Sequence, residues 1–343
     1  MNADYKAEYK WFKEAGYGMM IHWGLYSLLG GEYKGRRVRD YAEWIQSYFQ
    51  IPNAEYEKLA GAFNPVGFNA EDYVKAAVGY GMKYIVITAK HHDGFALFRS
   101  EADSFNVCDA TPFGRDILAE FADSCAKHGV KLGVYYSQDL DWHHPHGGGY
   151  KSNHIFNSGT TWDNSWDFTG EKNFDICFNE KILPQIREIM SNYGEICLAW
   201  FDVPMTVSAE QSEIIYNTVR ELQPNCLVNS RLGNGKYDYV SLGDNEIPQS
   251  MEKTDGENID YNDIGGFKPS PYGLYETAAT LNDTWGFSYY DKNWKSPETI
   301  AGYRKHLNSL GINYLLNVGP DPIGRIPAEA EKILWEAAEI YGK

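Results

Sequence analysis

Short apolar runs recur along the chain, each closed by a polar or charged residue and followed by a segment with helical spacing. Eight runs read as strands, at 18–23, 84–90, 131–137, 196–202, 226–231, 239–244, 276–281 and 314–319. Such near-continuous apolar runs are what parallel strands buried on both faces require. Between them, 70–80 (Ala-Glu-Asp-Tyr-Val-Lys-Ala-Ala-Val-Gly-Tyr) carries apolar residues at helical spacing, and 115–128 repeats this before Gly129 stops it. Segments 172–193, 208–222, 296–310 and 327–341 continue the alternation. Strand and helix repeated about eight times predict an α/β fold, a (β/α)8 TIM-like barrel. The later repeats are irregular, because a long loop at 247–274 stands where a helix is expected after the sixth strand. Loops at 139–170 and 30–40 are also long, and unstructured segments of that length are usually functional. No composition break, Pro/Ser-rich linker or fixed-period repeat divides the 343 residues, which predicts one domain, 1–343.

Composition narrows the function more than the fold. Net charge is −16, from 31 basic and 47 acidic residues, so nucleic acid and anionic membrane surfaces are poor partners and a neutral or cationic substrate is expected. Cys108, Cys125, Cys177, Cys197 and Cys226 are odd in number and scattered, which suits reduced thiols and neither a disulfide framework nor a zinc knuckle. The N-terminus lacks an apolar signal core and no run reaches membrane-spanning length, so a cytoplasmic protein is the expectation. Aromatics make up 15%, and several sit beside Gly, Asp or His, a combination that suits sugars as well as ordinary core filling. Both monomer and homo-oligomer remain open, and no cofactor is expected.

The candidate chemistry lies at the C-terminal tips of the strands, where α/β barrels handle substrates. These tips collect His22 and Trp23, His91 and His92, Tyr135 and Tyr136, Asp202, Arg231, Asp244 to Glu246, and Asn317. Polar groups at so many strand ends add little to a core. Asp202 closes Ile196-Cys-Leu-Ala-Trp-Phe-Asp, which is how a nucleophile or general base is held, though a helix cap or loop carboxylate reads equally well. Arg231 could orient a carboxylate and hold its pKa down, or form an ordinary rim ion pair. The densest cluster, Lys90-His91-His92-Asp93, allows a metal site with His22. Adjacent strand residues point to opposite sides, however, so hydrogen bonding to hydroxyls is the more economical role for the histidines. Lys90 and Asp93 are then expected to brace the strand end. Besides a metal-dependent barrel hydrolase, a non-catalytic sugar-binding protein stays open at this point.

Taken in order, these motifs resemble the α-L-fucosidases of glycoside hydrolase family 29. The resemblance runs through Gly18-Met-Met-Ile-His-Trp-Gly-Leu-Tyr-Ser27, Lys90-His-His-Asp-Gly-Phe95, Gly133-Val-Tyr-Tyr-Ser137 and Trp200-Phe-Asp202. It continues through Asn229-Ser-Arg231, Asn282-Asp-Thr-Trp-Gly-Phe287 and Asn313-Tyr-Leu-Leu-Asn-Val-Gly-Pro320, covering the chain from about residue 10 onward. It implies a retaining exo-α-L-fucosidase with Asp202 as nucleophile and a Glu as acid/base. Two glutamates fit the latter. Glu276, within Tyr275-Glu-Thr-Ala-Ala-Thr-Leu-Asn-Asp-Thr-Trp285, is favoured over Glu246, within Gly243-Asp-Asn-Glu-Ile-Pro248, although Tyr275 stands where many members have Trp. His22, Glu43, His91, His92, Tyr136, Trp200, Arg231, Asn245 and Trp285 are implied as substrate-binding positions for a small carbohydrate. Many relatives continue into a β-sandwich, and since this chain ends about twenty residues after Pro320, no C-terminal β-sandwich is expected. Small single-domain members include enzymes preferring α-1,6-linked fucose on N-acetylglucosamine, and that linkage is the expectation.

Overall fold

Eight parallel strands form one curled sheet: β1 Tyr17–Ile21, β2 Tyr84–Lys90, β3 Lys131–Tyr136, β4 Leu198–Phe201, β5 Leu227–Val228, β6 Val240–Ser241, β7 Tyr275–Thr280 and β8 Ile312–Val318. The computed structural model describes residues 7–151, 162–251 and 269–342. The spatial order is β5-β4-β3-β2-β1-β8-β7-β6, and a single bridge between Asn229 and Tyr239 joins the two ends, closing a (β/α)8 TIM-like barrel. The strands at this seam have two residues each, shorter than the apolar runs 226–231 and 239–244, because Ser230–Leu232 winds into a 3-10 turn.

Strand alternation sorts the apolar residues into two layers. Met20, Val86, Tyr135, Leu198, Trp200, Ala278 and Leu315 pack inside the barrel, whereas Met19, Ile85, Ile87, Val134, Tyr136, Phe201 and Leu316 join the helix-facing core. The N-terminal helix Lys10–Ala15 stops the bottom of the barrel. Its Phe12 packs on Tyr239 at 4.9 Å and on Tyr84 at 6.0 Å between ring centroids.

Helices Ala70–Gly79, Ile117–His128, Ala209–Leu222, Pro297–Ser309 and Ala328–Tyr341 occupy the segments expected of them. Their starts are set by side-chain caps: Asn69, Asp116, Ser208 and Ser296 each accept a backbone N–H of the first turn. The segment predicted as one helix over 172–193 is interrupted. Phe174–Cys177 and Leu183–Asn192 flank a π-helical turn, Phe178–Ile182, which regular 3.6-residue spacing does not foresee. The 30–40 loop, expected to be unstructured, contains an antiparallel pair, Glu32–Tyr33 with Arg36–Arg37. Residues 247–251 and 269–274 carry no helix, and the rest of the 247–274 loop lies outside the described residues, as does 152–161 of the 139–170 loop.

The π turn has a clear product, since it carries Lys181 into the interior with only 2% of its side chain exposed. There Lys181 Nζ meets Asp141 Oδ2 at 2.9 Å and Asp103 Oδ2 at 2.5 Å, while Lys90 Nζ reaches the same Asp141 oxygen at 3.0 Å. Two cations hold the Asp141 carboxyl far below the usual carboxylate range. Asp93 accepts from Tyr56 Oη at 2.9 Å and from Phe95 N at 3.2 Å. Lys90 and Asp93 therefore pin the tip of β2 to neighbouring loops.

Removing one partner of a buried ion cluster strands the others, at about 3–5 kcal/mol. Asp141→Asn should lower the urea unfolding midpoint by the equivalent of that range at pH 7. A midpoint within error of wild type would mean the cluster does not brace the fold.

Candidate active site

The sheet delivers side chains to its C-terminal mouth from at least six strands. Asp202 follows β4 directly, and its backbone N–H donates to Gln138 Oε1 at 2.8 Å, while Gln138 Nε2 donates to Arg231 O at 3.0 Å. One glutamine thus fixes the height of both segments. The carboxylate accepts from Tyr135 Oη at 2.9 Å and from Arg231 Nη1 at 3.2 Å. Burial of all but 13% of the side chain raises its pKa to about 6, with Asp244 adding to the rise and Arg231 opposing it.

The other arm of Arg231 holds a second carboxylate. Nη2 donates to Asp244 Oδ1 at 2.5 Å and to Leu242 O at 2.9 Å, and the guanidinium carbon lies 4.7 Å from the Trp200 ring centroid. Arg231 is 4% exposed, whereas the Asp244 side chain is 36% exposed at the mouth. Two carboxylates on one guanidinium, one sealed and one open, are thereby held side by side. Both are followed by a residue in the left-handed region, Val203 at φ 52° and Asn245 at φ 57°. For a β-branched valine this conformation is strained, and it turns the chain sharply away once Asp202 has been presented.

The histidines form the facing wall, and their hydrogen bonds fix their tautomers. Ser137 Oγ donates to Leu140 O at 2.8 Å, so it must accept from His92 Nδ1 at 2.7 Å. Asn317 Nδ2 donates to Trp285 O at 2.7 Å, which leaves its Oδ1 to accept from His22 Nδ1, also at 2.7 Å. In each neutral ring Nε2 is then an acceptor, and His92 Nε2 stands 3.8 Å from Asp202 Oδ2. Burial keeps the rings neutral, lowering His22 to about 4 and holding His91 and His92 well below the usual histidine value. His91 stacks on Tyr135 at 5.5 Å with its Nδ1 buried and unpartnered. Such a wall suits hydroxyl donors.

The sequence-derived positions distribute unevenly over this geometry. His22, His91, His92, Trp200, Arg231 and Trp285 gather around Asp202, with Trp285 at 5.1 Å from His22. Glu43 is 1% exposed and accepts from Gly286 N at 2.7 Å and Thr284 Oγ1 at 3.2 Å, so it anchors the loop that carries Trp285. Asn245 Oδ1 accepts from Thr280 N and Oγ1 at 3.0 and 3.1 Å, bolting the Asp244 turn to β7. Tyr136 points the other way, its hydroxyl donating to Gln185 Oε1 at 2.8 Å beneath the helices, and Tyr135 is the ring that faces the pocket. Strand parity is the reason.

Of the two glutamates expected as acid/base, Glu276 is placed away from the mouth and Glu246 is tied to its own turn. Glu276 is second in β7, near the N-terminal end, with no exposed surface; it accepts from Tyr84 Oη at 2.6 Å and Trp200 Nε1 at 3.0 Å. Burial raises its pKa to about 7, yet its contacts are the barrel floor and the underside of Trp200. Glu246 folds back to accept from Gly243 N at 2.8 Å. Asp244, noted in the sequence only as part of a polar strand tip, is the carboxylate that shares Arg231 with Asp202. Gln138, Ser137 and Trp44, whose ring is 4.8 Å from His92, were also missed. As for a metal, Asp93 is turned away to Tyr56, and no group of three His, Cys, Asp or Glu suited to an ion exists among the described residues.

A family model described as Alpha-L-fucosidase matches residues 2–340. Among solved structures, the α-L-fucosidase AlfC of Lactobacillus casei is 63% identical, with 98% of each chain covered and a TM-score of 0.90. An α-L-fucosidase from Vibrio sp. strain EJY3 is 32% identical over all of this chain and 56% of its own, with a TM-score of 0.84. Mouse tissue α-L-fucosidase is 25% identical over 94% of this chain and 68% of its own length.

The carboxylate pair has a signature independent of any substrate. In a carbon-13 NMR titration, Asp202 should titrate with a midpoint near 6. Arg231→Met, which removes the opposing cation, should move that midpoint upward; an unchanged or lower midpoint would contradict the pairing.

Proposed function

The chain belongs to the α-L-fucosidase family of glycoside hydrolases, and on that footing we propose that it is a retaining exo-α-L-fucosidase acting through a fucosyl-Asp202 ester. The observation that carries the proposal is Asp202 and Asp244 held on the two arms of Arg231. A retaining mechanism needs two carboxyl groups about 5–5.5 Å apart, one to attack the anomeric carbon and one to move protons. Asp202, ionised and fixed by Tyr135, Gln138 and Arg231, is the nucleophile. Asp244, open at the mouth, is the acid/base, in place of Glu276 and Glu246.

The bound sugar would lie between these carboxylates and the histidine wall. Hydroxyls donate to Nε2 of His22 and His92, while Trp285 and Trp200 offer the flat apolar surface that a deoxy sugar's methyl group requires. In the first step Asp202 displaces the glycan oxygen, which takes the proton of Asp244. In the second, Asp244 withdraws a proton from water, which cleaves the ester and regenerates Asp202. Glu276 supports this from below by holding the Trp200 indole.

The AlfC enzyme has been solved with 4-nitrophenyl α-L-fucopyranoside, with α-L-fucose and with Fucα(1,6)GlcNAc, and in the first and last of these an aspartate is replaced by alanine. On that likeness the substrate proposed here is α-1,6-linked fucose on N-acetylglucosamine of a glycan fragment. No helix among the described residues is long and apolar enough to cross a membrane. We place the enzyme in the cytoplasm as one catalytic barrel unit, 1–343, hydrolysing small fucosylated sugars without a cofactor.

Asp202→Gly should lower kcat on an aryl α-L-fucoside by roughly a thousandfold or more, and azide should restore turnover with a β-fucosyl azide product. Near-wild-type turnover would sink the assignment. Asp244→Ala should retain ester formation from the aryl fucoside, whose leaving group needs little protonation, and lose hydrolysis of the disaccharide. If Glu276→Gln or Glu246→Gln shows that split instead, the acid lies there. Below about pH 6 wild-type kcat/KM should fall about tenfold per unit as Asp202 protonates.

A further inference from the structure

The loop after β7 encloses a second cavity, apart from the pocket around Asp202. It has a volume of about 360 Å³ and lies between residues 281–294, the tip of β8 and the first turn of helix Ala328–Tyr341. Its walls set the rings of Trp285, Phe287, Tyr289 and Trp294 beside Asn282 and Lys292. Tyr289 is 51% exposed, a large ring left facing solvent next to a concavity.

The enclosing loop is held in shape by its own bonds. Asn293 Nδ2 donates to both Asp283 carboxylate oxygens at 2.9 and 3.1 Å, Asp283 N donates to Asp291 Oδ2 at 2.8 Å, and Lys295 Nζ donates to Thr280 O at 2.7 Å. From the opposite side Glu43 holds Gly286 N. A ligand entering this cavity therefore spends little free energy on ordering the loop.

Trp285 and Asn317 belong to both spaces. The Trp285 ring packs on His22 at 5.1 Å and also lines the cavity, while Asn317 lines it and hydrogen-bonds His22. The cavity thus adjoins the catalytic pocket, one indole away, on the same face of the barrel.

We propose that this cavity is a saccharide subsite that takes a neutral sugar ring of the glycan bearing the fucose. The inference rests on the function proposed above. A cavity of this size holds a small ligand, and flat rings beside an amide and an ammonium match the apolar faces and hydroxyls of a pyranose. An anionic ring would face the lining carboxylates Asp321 and Glu329 on a chain of net charge −16, and a purely apolar ligand would leave Asn282 and Lys292 desolvated without partners.

The test uses Tyr289→Ser and Lys292→Ala, two surface changes away from the catalytic groups. Each should leave kcat/KM on an aryl α-L-fucoside within about twofold of wild type. KM for a neutral fucosylated tetrasaccharide should rise roughly fivefold with kcat unchanged. Separately, saturation-transfer NMR with a fucose-free neutral oligosaccharide, recorded with fucose filling the catalytic pocket, should show binding to wild type and none to Tyr289→Ser. Equal effects on both substrates, or no transfer to the wild type, would overturn the subsite. A wild type that hydrolyses no α-L-fucoside would overturn the proposed function instead, and the NMR result would still decide the cavity.

Discussion

Two ionised carboxylates side by side in a partly buried pocket repel each other, and Arg231 is the cation that offsets this repulsion here. Burial raises the pKa of Asp202, Arg231 lowers it and Asp244 adds to the rise, so the guanidinium is the main force holding Asp202 ionised against its burial. Much of the surrounding architecture follows from that need. Ser230–Leu232 winds into a 3-10 turn at a two-residue strand, Gln138 ties the Arg231 carbonyl to the Asp202 amide, and the guanidinium rests on Trp200. The histidines opposite complement it by staying neutral. A charged imidazole would compete with Arg231 for Asp202; a neutral one offers Nε2 to a hydroxyl.

The barrel was legible because its strands are unusually pure signals. Runs such as Tyr84–Lys90 are apolar save for Thr88 until the last residue, and the caps at Asn69, Asp116, Ser208 and Ser296 sit where the helical spacing begins. The position of Asp202 at a strand tip was readable for the same reason. What the pattern does not encode is parity and depth. In a strand buried on both faces, Tyr135 and Tyr136 look alike, and only the register against β2 and β4 shows which ring enters the barrel. Glu276 is second in its strand and is carried to the floor, a fact about strand direction that its motif alone does not reveal.

Other features escaped because they depend on distant partners. The contact of Asp244 with Arg231 emerges only when the seam between β5 and β6 closes and brings the two together. The π turn at Phe178–Ile182 buries Lys181 against residues some 40 and 78 positions earlier in the chain, Asp141 and Asp103, and nothing in its local sequence announces that destination. The notion of Lys90 and Asp93 as braces did follow from the sequence, since a strand-end charge cluster has to be neutralised by something.

Beneath the pocket the barrel is filled with rings: Trp200 over Glu276, then Tyr84 and Tyr239, then Phe12 of the N-terminal helix. Among the described residues these rings form a packed floor beneath the pocket. The mouth is consequently a shared doorway, through which the departing glycan leaves and every acceptor must come. In the proposed mechanism a fucosyl ester on Asp202 would meet water and any sugar hydroxyl at that one doorway, and the partition between hydrolysis and transfer would then be set by which molecule occupies the entrance first.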